Sequence, residues 1–124
     1  MVGGVRERPS VTSALARAKA RLDRLELYPA PVRVDRVRVL VWPRLFGLPW
    51  FRRFDGYAAW NTILLREPVE RSGDDLICHE LCHVWQMQHR PLAMPLSYLR
   101  SGYDGNRYEE EARRAVADTV AGRS

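Results

Sequence analysis

His79, Glu80 and His83 bring two imidazoles and a carboxylate together in the run His79-Glu80-Leu81-Cys82-His83. On an α-helix, residues four apart share a face with Cβ atoms about 5–6 Å apart, so both histidines can reach one metal ion. Glu80 then stands beside that ion. A carboxylate there can take a proton from a water that the metal activates and later pass it to a leaving amine. Three positions make a pattern that also arises by chance, so the flanking residues must decide.

Ser72-Gly73-Asp74-Asp75 reads as the end of a loop, with Asp74 placed as an N-cap. Residues 76–88 contain no Gly or Pro, which predicts a helix through the motif. Ile77, Leu81 and Val84 form one apolar stripe, Cys78, Cys82 and Trp85 another, and Leu76 and Met87 lie near the His/Glu face. A helix apolar nearly all round is buried. Burial makes His79, Glu80 and His83 costly unless they are paired, hydrogen-bonded or bound to a metal. Metal binding is thereby favoured over two core histidines satisfied by a buried ion pair. Cys78 and Cys82 point about 100° around the helix from the adjacent histidines and read as small core residues, too close along one helix for a disulfide.

A zinc site for hydrolysis needs a third protein ligand and an open position for water. His89 stands at the third-histidine spacing of the longer metzincin pattern H-E-x-x-H-x-x-G-x-x-H. The glycine of that pattern is Gln86 here, and a continuing helix rotates His89 away from His83. The alternative lies in Asn106-Arg107-Tyr108-Glu109-Glu110-Glu111-Ala112, after the turn at 102–105. Asn106 can cap a last helix running to about Val120. On it Glu109 shares a face with the small residues Ala112 and Val116, whereas Glu110 and Glu111 lie over arginines. Periodicity favours Glu109 as the ligand. Asn106 and Glu109 also fit a capping box, in which Glu109 would bond the helix N-terminus instead.

With these two segments, the chain resembles the gluzincin zinc metallopeptidases, and among them the small single-domain minigluzincins. The resemblance covers roughly residues 56–117. It implies His79, His83 and Glu109 as zinc ligands, Glu80 as general base, and peptide or protein as the substrate. Related glutamate helices carry an Asp directly after the Ala to hold a zinc-bound His; Arg113 stands there in this chain, which leaves Asp104 or Asp118 to support the ligands. Tyr103, on the loop before the glutamate helix, is expected to stabilise the oxyanion.

The remaining elements predict one α+β domain spanning 10–121, with an unstructured N-terminus at 1–9 and a small sheet packed on an N-terminal helix. That helix starts at Ser10 and runs to about Leu27, with Leu15, Ala18, Leu22 and Leu25 as its apolar seam. Residues 32–41 are β-branched and mostly alternating, with a phase change that predicts a bulge or late start. Residues 56–65 read as one further strand. Under the resemblance, residues 57–61 line a groove that takes an extended peptide. Residues 42–53 form an aromatic and basic loop, expected to fold back on the core rather than to act as a substrate flap.

The net charge of +5 and pI near 9.8 raise nucleic-acid binding as a class. The basic residues, all arginine except Lys19, are spread from Arg6 to Arg123 without a cluster or a recognised nucleic-acid motif, so no such partner is expected. No apolar run has the length of a signal peptide or a membrane span, which predicts a cytoplasmic protein. Two other readings of the residues remain: a zinc-holding regulatory module without turnover, and a basic interaction domain with structural histidines.

Overall fold

The computed structural model describes residues 9–102 and 105–120. The unstructured N-terminus expected for 1–9 falls outside them except for Pro9, which opens α1 (Pro9–Leu22). Leu15, Ala18 and Leu22 are buried along one face of α1 as the periodicity requires, and Leu25 packs on the core from the turns that follow. The helix stops a turn before the expected Leu27.

Three strands make the sheet, in the order β1 (Arg38–Val41), β3 (Thr62–Leu65), β2 (Gly56–Ala59). β1 runs parallel to β3, and β2 antiparallel to it. Residues 56–65 are thus a hairpin and not the single strand expected. Its two-residue turn, Trp60-Asn61, lacks the glycine that usually marks such a reversal. The strand expected over 32–41 is confined to β1, while Val32 and Val37 are buried on either side of a turn at Asp35-Arg36 that precedes it. Ile63 and Leu65 alternate into the core with no exposure, so β3 carries the inner face. Arg66 N–H donates to Asp55 O just beyond β2 and β3. The antiparallel alternation then gives Tyr57 and Ala59 to β3 and leaves the N–H and C=O of Gly56 and Ala58 on the open edge.

After α2 (Val69–Ser72) comes α3 (Asp74–His89), the central element. From Ile77 to Met87 every residue but His79 is buried, as an all-round apolar pattern demands. α3 packs against α1, α5 (Arg107–Asp118), β2 and β3, so the sheet rests chiefly on α3 rather than on α1. Gly73, not Asp74, occupies the N-cap; the Asp74 carboxylate instead takes the Arg17 guanidinium at 3.1 Å. Arg21 and Arg24 donate to the carbonyls of Val116 and Thr119 respectively, which satisfies the end of α5 with charges suited to a helix C-terminus.

α4 (Ala93–Ser101) fills the interval between α3 and α5. The aromatic loop 42–53 holds a 3-10 turn at Leu45–Gly47, and Phe46 is wholly buried while Trp42 and Trp50 remain exposed. Folding back on the core is therefore true of only part of it. The whole is a single α+β domain. No helix among the described residues is long and apolar enough to cross a membrane.

Candidate metal centre

α3 presents His79 and His83 one turn apart, and α5 brings Glu109 to both. His79 Nε2 lies 2.8 Å from Glu109 Oε2, His83 Nε2 lies 2.9 Å from Glu109 Oε1, and the two Nε2 atoms are 3.2 Å apart. Ligands of a tetrahedral ion held at about 2.0–2.1 Å stand roughly 3.3–3.4 Å from one another, close to the separation of the two Nε2 atoms, and the Glu109 carboxylate bridges them with one oxygen on each. The donor set of two imidazole nitrogens and one carboxylate oxygen, with Glu109 only 1% exposed, suits a divalent metal ion.

Asn106 caps α5 by accepting from the N–H groups of Tyr108 and Glu109 at 2.8 and 3.3 Å. The Glu109 carboxylate meets the imidazoles, so the capping residue and the ligand candidate are separate. His89 is far from the cluster in role: its ring stacks on Tyr28, centroids 4.9 Å apart and nearly parallel. Glu110 is exposed, and Glu111 accepts from the Tyr28 hydroxyl at 2.8 Å. Of the acidic residues expected behind the ligands, Asp118 is exposed at the end of α5, and Asp104 lies outside the described residues, as does Tyr103.

Among the described residues, Gln86 supports His83. Its Nε2 donates to Tyr108 O at 2.8 Å and to Glu111 Oε1 at 2.9 Å, both of which can only accept. The amide orientation follows, and Oε1 is left facing His83 Nδ1 at 2.8 Å. An amide oxygen cannot donate, so His83 carries its proton on Nδ1 and turns Nε2 toward Glu109. Neighbours three apart on the helix, His83 and Gln86 could have been paired from spacing alone. Arg113, at the position where an Asp was looked for, reaches the other side: its Nε stands 3.6 Å from Glu109 Oε2.

The electrostatics match a proton-or-metal site. Burial raises the Glu109 carboxyl, but hydrogen bonds from His79 and His83 outweigh it and hold the group far below the usual carboxylate range. Burial lowers His83, yet its bond to Glu109 and the nearby Glu80 charge raise it above an ordinary histidine. Protons and a metal ion therefore compete for the same atoms. Burial pushes the Glu80 carboxyl up, partly opposed by the two histidines. Gly56 makes room for it: a Cβ there would stand 3.2 Å from Glu80 Oε2 and 3.3 Å from Leu76 Cδ1.

Two clefts flank the cluster. One, about 390 Å³, is lined by Arg53, Asp55, His79 and Arg113; the other, about 400 Å³, is largely apolar and lies between β2 and α4. Glu80 and Glu109 line both. Tyr98 of α4 edges the apolar cleft and donates its hydroxyl to Glu109 Oε1 at 3.3 Å, a phenol the spacing of the two motif helices did not single out. Cys78 and Cys82 are free and fully buried, turned away as expected.

Fold and site together define a small α+β domain with a buried His-His-Glu cluster able to hold a metal ion. Comparison with protein-family models, with curated proteins and with solved structures gives no match for this chain. The likeness to gluzincins rests on the residues of α3 and α5 alone.

Proposed function

We propose that the protein is a small zinc-dependent metallopeptidase. The observation that carries this reading is the convergence of His79, His83 and Glu109 within hydrogen-bonding distance, with Glu80 buried beside them. The same two-histidine, one-carboxylate set also suits ferrous iron; the adjacent Glu80 favours hydrolytic zinc, for which a base is needed. Zinc in that position supplies Lewis acidity, polarising a peptide carbonyl and acidifying water.

The chain's own groups do the rest. Glu80 accepts a proton from the attacking water and delivers it to the departing amine. Gln86 and Glu109 hold the imidazoles in one orientation, so little reorganisation is needed. Tyr98, whose hydroxyl reaches Glu109 Oε1 from the rim of the cluster, is a second candidate beside Tyr103 for an oxyanion donor, once it turns from Glu109 to the substrate. Gly56 and Ala58 offer the open edge of β2 to an extended backbone.

Elemental analysis of the purified protein tests the first half: one zinc per chain is expected, and none, or iron instead, refutes it. Glu80→Gln tests the second. The variant should keep its zinc while hydrolysis of a quenched-fluorescent peptide library falls about 100- to 10,000-fold. Undiminished hydrolysis would show that Glu80 is not the base; zinc in a wild type that cleaves nothing would leave a metal-holding module.

A further inference from the structure

The apolar cleft beside the cluster has walls of Trp50, Trp60, Met87, Met94 and Leu99, and a floor of Glu80, His83 and Glu109. Its carboxylates and its imidazole all belong to the floor, and the remaining lining is apolar apart from the phenols of Tyr57 and Tyr98. Two methionines give it polarisable, adaptable sides.

Trp60 is the informative residue. It takes the left-handed backbone, φ 52°, at the first position of the hairpin turn, where Gly is favoured and a bulky side chain is strained. Its backbone N–H donates to Met87 Sδ and its indole N–H to Pro91 O, each at 3.2 Å, which clamps the hairpin tip over the turn between α3 and α4. Even so, the residue is 53% exposed. A Gly or Asn would relax this turn but give up the Pro91 bond, so a strained backbone is kept while most of the tryptophan stays bare beside the cluster. Strain of this kind, held beside a cluster of functional groups, is a reason to look for a ligand. Trp50 and Leu99, 57% and 83% exposed, continue the apolar rim at the mouth.

We infer that this cleft binds a large apolar side chain, aromatic or branched aliphatic, of a peptide lying along β2, and that Trp60 sets this preference. The occupant is a peptide and not an acyl chain because Gly56 and Ala58 direct backbone N–H and C=O groups along the same wall, and only another backbone answers them in register. The inference deepens the peptidase reading by naming its substrate class. Binding by itself does not require turnover.

Zinc-loaded Glu80→Gln protein is titrated with blocked pentapeptides, acetyl-Ala-Ala-X-Ala-Ala-amide with X as Phe, Leu, Ala or Asp, followed by tryptophan fluorescence and calorimetry. Phe and Leu peptides should bind roughly 10- to 100-fold more tightly than Ala, and Asp the weakest. Adding Trp60→Gly should bring the Phe peptide to the affinity of the Ala peptide with the circular-dichroism spectrum unchanged. Leu99→Ser, on a largely bare side chain where folding is not at risk, should weaken the Phe peptide several-fold. Equal binding of all four peptides, or a retained Phe preference in folded Trp60→Gly, overturns the inference. Adsorption to anionic phospholipid vesicles without any peptide preference also overturns it and gives the rim to a lipid surface. The two readings fail separately: wild-type cleavage with no apolar preference removes this inference alone, and apolar-selective binding with no cleavage removes the peptidase alone.

Discussion

Gln86→Met replaces a wholly buried hydrogen-bonding side chain by an apolar one of similar length, and its effects on folding and on metal binding can be worked out separately. Three bonds are lost: from His83 Nδ1, to Tyr108 O and to Glu111 Oε1. Glu111 keeps the Tyr28 hydroxyl, whereas the His83 N–H and the Tyr108 carbonyl face methionine in a buried region. Tyr108 O keeps its partner within α5, so at about 1–3 kcal/mol for the His83 N–H left unpaired and about 0.5–1.5 kcal/mol for each of the other two bonds, the metal-free protein should lose roughly 2–6 kcal/mol. A domain stable by about 5–15 kcal/mol survives that, with a Tm lower by about 10–20 °C. Freed from its acceptor, His83 no longer has its tautomer and ring angle set. Zinc affinity should then fall about 10- to 100-fold, or about 1.4–2.7 kcal/mol. Gln86→Glu separates the two effects: it retains an acceptor for His83 and so should bind zinc within a few-fold of wild type. It loses both donors and faces Glu111, so its stability should fall as far as that of Gln86→Met. Urea denaturation of metal-free protein reads the first quantity, and chelator competition reads the second. Wild-type zinc affinity in folded Gln86→Met would refute the reasoning, because His83 would then be oriented by something other than Gln86.

Other outcomes follow from the same contacts. Gly56→Ala places a methyl 3.2 Å from Glu80 Oε2, tight enough to displace the carboxylate by a few tenths of an ångström. Peptide turnover should fall at least ten-fold while zinc content and urea midpoint stay near wild type, and a larger loss of stability than of rate would count against the base assignment. His89→Ala removes only the stacking on Tyr28, so chelator competition should give an unchanged zinc affinity with stability lower by about 0.5–1.5 kcal/mol. A large loss of zinc would instead make His89 a ligand. Cys78 and Cys82 have no exposed surface, and burial raises both thiols above their ordinary range. Disulfide exchange reagents at pH 8 should therefore react at the rate of global unfolding, and rapid labelling of native protein would contradict their packing.

Much of this molecule was readable from local pattern. The Gly- and Pro-free run of 76–88, apolar nearly all round, was enough to place a buried helix, because its apolar residues must be hidden on every side. The i,i+4 spacing put His79 and His83 together for the same geometric reason, and the face periodicity of 106–116 separated Glu109 from Glu110 and Glu111. Strand assignments were weaker. The Trp60-Asn61 turn has no local signal, since its left-handed tryptophan is sustained by contacts with Met87 and Pro91 from another part of the chain.

The opening pattern of two histidines and a glutamate was decided by sequence, through helix geometry acting over a single turn. Whether a third ligand joined it depended on how α5 packs on α3, a matter of side chains meeting across 26 positions of chain. Gln86 shows the same division. Its place one turn after His83 was visible, but its amide acquired an orientation only when Tyr108 and Glu111 arrived to accept from it. The apolar wall at Trp60 and Leu99 belongs wholly to the tertiary level, because exposure is a property of what fails to cover a residue, and no local pattern records that.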